Sequence, residues 1–197
     1  MNDRINKFIL YFTFFYVAAF SINALIRGNV EFIYYTAVMV LSIIIVLLIH
    51  KRFHFYPIIL LSLSLLGLLH LMGGNVYLGE IRLYDYYFIP YFFKYDNFVH
   101  MVGSGIMVML AYELIVPVVN HRFEQQQLYF VILLVLIGMG LGAINELLEF
   151  LAVILFDVGQ WVGDYTNTLL DLTFNTIGSL AMAVMMVKTK LALYGKS

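Results

Sequence analysis

Six apolar segments, each long enough to cross a lipid bilayer, constrain this chain more than any other feature. The hydrocarbon core requires about 20 predominantly apolar residues per helix. Charged residues make up only 12% of the chain, against about 25% in soluble domains. The sequence therefore predicts an all-α polytopic membrane protein with six transmembrane helices in a single domain, residues 1–197. The spans are expected at 6–27, 31–50, 56–72, 96–118, 128–155 and 165–188.

Composition excludes several classes of function. The chain has no cysteine, which excludes disulfides, thiolate metal sites and cysteine nucleophiles. Its net charge of −1 excludes nucleic-acid binding through a basic surface. We interpret the first apolar segment as a signal anchor, because it is too long for a cleavable signal peptide and lacks a small-residue cleavage site.

The distribution of cationic residues predicts the orientation. Lysine and arginine are enriched in the cytoplasmic loops of membrane proteins. With the N-terminus inside, three cations lie outside, namely Arg27, Arg82 and Lys94. Eight lie inside, namely Arg4, Lys7, Lys51, Arg52, Arg122, Lys188, Lys190 and Lys196. This bias predicts an N-in, C-in topology.

The connection between the third and fourth spans is rich in aromatic residues. Amphipathic aromatic side chains prefer the headgroup region of a bilayer, so we expect a segment on or in the outer interface. An ordinary aromatic belt and a lid that contacts lipid headgroups over a site both fit this pattern. The aromatic residues are Tyr77, Tyr84, Tyr86, Tyr87, Phe88, Tyr91, Phe92, Phe93 and Tyr95.

A polar stripe runs along the sixth span. Its members are spaced by four, three, four and three residues, which places them on one face of a helix. An ionisable group inside the membrane costs about 2.5–3.5 kcal/mol on insertion scales, and it marks a functional site by default. The stripe consists of Asp164, Thr168, Asp171, Asn175 and Gly178.

Polar groups from four spans are predicted to meet in the outer half of the membrane. At 1.5 Å per residue, His100 lies about 6 Å below Asp96 in the fourth span. The outer half of the fifth span carries Glu146 and Glu149, and His70 lies near the outer end of the third. This convergence with Asp171 and Asn175, more than any single residue, indicates a site.

Each group also has a structural interpretation. Asp96 and Asp164 stand where a carboxylate caps a helix N-terminus. Glu146 and Glu149 share a helix face and would repel each other, so one is protonated, cation-bound or paired. Asn145 is interpreted as a hydrogen-bonding group toward a neighbouring helix, and the spacing of Gly138 and Gly142 is typical of close helix packing. These interpretations stay open beside the functional one.

The residue types suit one divalent cation such as Mg²⁺, Mn²⁺ or Zn²⁺, which would also neutralise the buried carboxylates. The predicted ligands are Asp96, His100, Glu146, Glu149 and Asp171. The predicted catalytic groups are His100, Glu146 and Asp171, supported by His70, Asp164, Thr168 and Asn175.

Three functions fit this constellation. The first is a site that binds the cation together with an anionic envelope lipid or lipid-linked precursor, with hydrolysis or transfer at a phosphate or acyl ester as the expected reaction. The second is a proton- or ion-coupled transporter or flippase that uses the buried carboxylates. The third is a non-catalytic membrane scaffold.

Several motifs between residues 66 and 185 resemble those of YjdF-like inner-membrane proteins and, more loosely, of the VanZ-like superfamily. The order and intervals of these motifs are compatible with that pattern. They are His70-x-x-Gly73, Tyr95-Asp96-x-x-x-His100, Glu113, Asn145-Glu146-Leu147-Leu148-Glu149-Phe150, and Gly163-Asp164-x-x-Asn167-Thr168-x-x-Asp171 with Gly178.

The resemblance implies a multi-pass protein of the bacterial cytoplasmic membrane and supports the chosen site residues, but it supplies no reaction. The chain also departs from the YjdF-like pattern. Asn167 stands where that pattern has aspartate, Asn97 where it has arginine, and Asn75 where it has histidine. These departures lower the formal number of ligands.

Overall fold

A computed structural model describes residues 2–119 and 126–189 of the chain. All six predicted spans are confirmed as helices that are long and apolar enough to cross a membrane, with ends that differ by a few residues. The long helices are α1 (Asn2–Arg27), α2 (Val30–Phe53), α3 (Pro57–Asn75), α4 (Tyr95–Ile115), α5 (Gln127–Phe156) and α7 (Tyr165–Thr189). A single-turn helix, α6 (Gly159–Val162), lies between α5 and α7.

The N-in, C-in orientation in the membrane stays a prediction. Three of the cations on which this assignment depends, Arg122, Lys190 and Lys196, lie outside the described residues.

The chain forms two compact units. Among the described residues, unit 1 consists of 2–99 and 150–162, and contains α1 to α3, the α3–α4 connection, the first turn of α4, the end of α5 and α6. Unit 2 consists of the described residues 100–119, 126–149 and 163–189, and contains α4 from His100, α5 as far as Glu149, and α7. The expectation of a single domain stays a prediction.

In unit 1, hydrogen bonds join α1 and α3, and buried aromatic side chains fill the interior. The Tyr16 hydroxyl donates to the Ser64 carbonyl at 2.7 Å, and the Thr13 and Ser64 hydroxyls lie 2.6 Å apart. The absence of a side chain at Gly67 lets Tyr16 approach, since a Cβ there would lie 2.7 Å from the Tyr16 hydroxyl. The buried aromatic residues of the unit include Phe32, Tyr35, Tyr84 and Tyr95.

The α3–α4 connection is folded into two small hairpins, which were not predicted from the sequence. Strands β1 (Tyr77–Leu78) and β2 (Ile81–Arg82) pair antiparallel, as do β3 (Tyr87–Ile89) and β4 (Phe93–Lys94). Gly79 adopts a φ of +67° in the first turn, a conformation that glycine adopts without strain. The segment Leu83–Asp85 forms a 3-10 turn between the hairpins.

Two side-chain contacts fix this connection to the helices of unit 1. Arg82 lies 2.9 Å from Glu31 on α2 and 3.0 Å from Asp85. Burial opposes the charge of Arg82, but the two carboxylates outweigh it and raise the pKa of the guanidinium above its ordinary value. The Tyr84 hydroxyl lies 2.5 Å from Nδ1 of His70 on α3. The connection is therefore pinned to both α2 and α3.

Glycines allow close helix packing in unit 2, as the spacing of Gly138 and Gly142 predicted. A Cβ on Gly138 would overlap the Ser179 hydroxyl, and a Cβ on Gly142 would lie 2.5 Å from Asn175 Nδ2. Gly178 is tighter still, because a Cβ there would overlap the carbonyl oxygen of Met101. These contacts bring α4, α5 and α7 together around the polar residues described next.

Candidate functional site

The imidazole of His100, in the second turn of α4, is buried between acidic side chains of α5 and α7. Its Nδ1 lies 3.4 Å from Glu146 Oε1 and 3.4 Å from Asn175 Nδ2. Its Nε2 lies 3.7 Å from Glu149 Oε1 and 3.9 Å from Asp171 Oδ1. Both nitrogen-bearing edges of the ring therefore face carboxylates.

Two asparagines hold two of these carboxylates in place. Asn167 Nδ2 donates to Asp171 Oδ2 at 2.7 Å, and Asn145 Nδ2 donates to Glu149 Oε1 at 2.7 Å. In each case the amide lies one helical turn before the carboxylate, which is the spacing at which side chains of one helix meet. Asp171 consequently presents Oδ1 to the imidazole while Oδ2 is occupied.

The helices place these groups together for simple geometric reasons. Glu146 and Glu149 are three residues apart and share a face of α5, while Asp171 and Asn175 are four apart and share a face of α7. Gly142 lies one turn before Glu146, and its missing side chain leaves room for Asn175. The close approach of α5 to α7 is therefore encoded next to the site.

The cluster holds a large excess of negative charge for its burial. Asp171 is completely buried, and the side chains of Glu146 and Glu149 are only 10% and 15% exposed. Even a protonated imidazole neutralises only one of the three carboxylates, so protons or a cation must offset the remaining negative charge. His100, Glu146 and Glu149 each offer a ligand atom within 4.8 Å of the others, a grouping that can hold a metal ion.

The polar cluster gives way to apolar packing further along the same helices. Val108 on α4 and Leu134 on α5 are fully buried, and Met186 on α7 is nearly so. Ser179 is buried one turn beyond Asn175. Glu113 is buried near the opposite end of α4 from His100, more than three turns away along the helix.

Two residues predicted for the site have partners within unit 1. Asp96, in the first turn of α4, lies 3.1 Å from Lys94 Nζ. His70 bonds to Tyr84 and packs against the rings of Phe32 and Tyr35. A metal-ligand role for Asp96 and a supporting role for His70 stay predictions.

Asp164 and Thr168 lie at the start of α7. Asp164 Oδ1 accepts a 3.0 Å hydrogen bond from the backbone N–H of Asn167, so the helix-capping interpretation of this aspartate is confirmed. The Thr168 N–H donates to the Asp164 carbonyl at 3.1 Å. Neither contact involves the imidazole, and their supporting roles in a site stay predictions.

The roles of two asparagines were not predicted from the sequence. The amide of Asn145 donates to Glu149 on the same helix, and a bond from Asn145 to a neighbouring helix stays a prediction. Asn167 was noted only as a departure from a family pattern, whereas the residue bonds the central carboxylate, Asp171. The spacing of four residues from an acid was the signal that could have identified both.

Comparison with known proteins establishes the family. Residues 8–191 match the family model described as "Predicted membrane protein (DUF2238)". The match covers nearly the whole chain, so the protein belongs to this family of YjdF-like membrane proteins, as the motifs predicted. No curated protein and no solved structure matches the chain. The link to the VanZ-like superfamily stays a prediction.

Proposed function

We propose that this membrane protein holds one divalent cation in unit 2 and uses it to bind the anionic headgroup of an envelope lipid or lipid-linked precursor. The observation that supports this most is the arrangement around Nε2 of His100. That nitrogen faces Glu149 Oε1 at 3.7 Å and Asp171 Oδ1 at 3.9 Å. The three atoms belong to three different helices, so a cation between them would join α4, α5 and α7.

The distances suit a small cation after slight adjustment. Zinc binds histidine nitrogen and carboxylate oxygen at about 2.0–2.2 Å in tetrahedral geometry, which places neighbouring ligand atoms about 3.4 Å apart. The distances from His100 Nε2 to Glu149 Oε1 and to Asp171 Oδ1 exceed this by a few tenths of an ångström. The carboxylates of Glu149 and Asp171 would also have to move toward each other, because the close grouping within unit 2 is that of His100 with Glu146 and Glu149. The ligands proposed after that movement are His100 Nε2, Glu149 and Asp171.

Glu146 has a separate role in this proposal. A metal-bound histidine commonly donates its other ring N–H to a carboxylate, which fixes the tautomer and the ring orientation. Glu146 Oε1 lies on the Nδ1 side of His100, opposite the proposed metal position. We therefore assign Glu146 to orienting the imidazole, which requires Nδ1 to carry the proton and the Asn175 amide to present its oxygen, not its nitrogen, to the ring.

The cation determines which ligands the site accepts. Without it, the excess of carboxylates repels phosphate and other anions. A cation held by these residues would supply a positive centre for a phosphate oxygen and would polarise a phosphate or acyl ester for hydrolysis or transfer.

The packing of unit 2 favours a one-sided site over a transport route. A transporter needs polar groups or water along its whole path through the membrane. Among the described residues of unit 2, the layer beyond Ser179 contains apolar side chains such as Val108, Leu134 and Met186, and the next buried carboxylate, Glu113, lies more than three turns along α4 from His100. Proton- or ion-coupled transport is therefore the less supported alternative.

The proposal is tested by the metal content of protein purified in detergent. The wild type should carry stoichiometric divalent metal, and Asp171→Asn should lose it while keeping its helical content. Glu113→Gln is the matched control, because it removes a buried carboxylate that lies far from His100 along α4. Absence of metal from the wild type after loading with Mg²⁺, Mn²⁺ and Zn²⁺ in turn would contradict the proposal.

The lipid part has its own experiment. Native mass spectrometry should show phosphatidylglycerol retained by the metal-loaded wild type and released by a chelator. Asp171→Asn should retain little of it under either condition. Equal retention with and without metal would contradict metal-dependent headgroup binding while leaving the cation site intact.

A further inference from the structure

The second hairpin of the α3–α4 connection carries an unusual run of exposed apolar side chains. All eight residues from Asp85 to Phe92 are exposed. Tyr91, at the turn, is 93% exposed, and Phe92 is 57% exposed. No charged residue lies between Tyr86 and Phe93.

This surface does not suit contact with bulk water. Single exposed apolar residues are normal, but a contiguous group of large ones marks an interaction surface. The exposed group consists of Tyr86, Tyr87, Phe88, Ile89, Tyr91 and Phe92.

The hairpin is held at the level of the helix ends. Strand β4 continues directly into α4, and Phe88 packs against Phe93, Tyr95 and Phe98, which lie at this junction. The Tyr95 hydroxyl donates to the Leu69 carbonyl of α3 at 3.0 Å. A hairpin fixed to the first turn of a membrane-spanning helix lies close to the membrane surface, where tyrosine is enriched.

From these observations we infer that the β3–β4 hairpin inserts its aromatic tip into the phospholipid headgroup and acyl-chain boundary. Lipid is favoured over a protein partner because the apolar tip continues from a membrane-spanning helix and carries no charge to select a protein surface. The nearest cation, Lys94, is paired with Asp96. The inference is independent of the cation site in unit 2.

The natural absence of cysteine makes a direct test simple. Single nitroxide labels are placed at Tyr91→Cys and, as control, at Glu80→Cys in the turn of the first hairpin. The native residues Tyr91 and Glu80 are both exposed and both lie in unit 1. Glu80 differs in being a charged residue that follows a glycine. Power-saturation EPR in phospholipid vesicles then compares the access of oxygen and of a water-soluble nickel complex.

The label at position 91 should show a ratio of oxygen to nickel access several-fold higher than the label at position 80, with Phe92→Cys resembling position 91. Equal nickel access at 80, 91 and 92 would overturn the inference. Dipolar broadening of the 91 label that vanishes on dilution with unlabelled protein would also overturn it, by showing that a second copy covers the hairpin.

Discussion

Asn167 donates a 2.7 Å hydrogen bond to Asp171 Oδ2 in the interior of unit 2. Both side chains belong to α7, one turn apart, and both are buried. The second oxygen of the carboxylate, Oδ1, faces Nε2 of His100 at 3.9 Å. The amide thus fixes the orientation of Asp171 and leaves one oxygen directed at the proposed cation.

Asn167→Asp should destabilise the metal-free protein, because it places a second carboxylate against Asp171 and removes the donor. Adding the cation should then raise the thermal unfolding temperature more in this variant than in the wild type. The measurement is thermal unfolding in detergent with a chelator and with metal.

The swapped double variant, Asn167→Asp with Asp171→Asn, provides the control. It restores an amide–carboxylate pair with reversed polarity, so stability should recover while metal affinity should not. If the double variant is as unstable as Asn167→Asp alone, the hydrogen bond does not explain the effect.

Glu149→Gln and Glu146→Gln should differ although the two residues share one helix face. Glu149 lies on the Nε2 side of His100 and is a proposed ligand, whereas Glu146 lies on the Nδ1 side. Loss of an orienting partner typically weakens metal affinity by about 10–100-fold. Glu146→Gln should therefore still bind metal with that reduced affinity, and Glu149→Gln should bind none at the same concentrations in a metal titration. Equal losses would argue against separate roles.

Gly178→Ala should destabilise the packing of α7 against α4. A Cβ at this position would overlap the carbonyl oxygen of Met101, and backbone cannot rotate away as a side chain can. Overpacking of this kind costs about 1–3 kcal/mol or more. Gly140→Ala is the matched control, because a Cβ added there would have nothing within 4 Å among the residues that the structure describes. Comparison of thermal unfolding temperatures should show a fall only for Gly178→Ala, and equal falls would contradict this packing.

Arg82→Met should strongly destabilise unit 1, because it leaves Glu31 buried without its cation. Breaking a buried ion pair by removing one partner costs about 3–5 kcal/mol. Asp85→Asn should cost about 0–1 kcal/mol, since Asp85 is half exposed. Adding Glu31→Gln to Arg82→Met should recover much of the loss in chemical unfolding. Failure to recover would mean that Arg82 stabilises the connection through packing and not through charge.

The sequence predicts the six helices well because their length and apolar character are set by the bilayer and not by tertiary detail. It also predicts that His100, Glu146, Glu149 and Asp171 lie in one site. Carboxylates inside the membrane are costly unless they face groups that neutralise their charge. Of the predicted ligands, Asp96 is placed in unit 1 by the structure, where it pairs with Lys94.

Other features were beyond the sequence for physical reasons. The strands of the α3–α4 connection have only two or three residues, too few for an alternating pattern to distinguish them from an interfacial loop. The bonds of Asn145 and Asn167 depend on side-chain rotamers, which spacing permits but does not fix. Which ring nitrogen of His100 faces Glu146 and which faces Glu149 likewise depends on the tertiary packing of the helices, and the sequence does not show it.

The most direct test of the central claim is X-ray absorption at the edge of the metal bound to the purified wild type. We predict one imidazole nitrogen with the remaining ligands oxygen in the wild type, and loss of the bound metal together with its imidazole signal in His100→Ala exposed to the same metal. A spectrum with several imidazoles, or one that is unchanged by His100→Ala, would place the metal elsewhere and contradict the cation site between His100, Glu149 and Asp171.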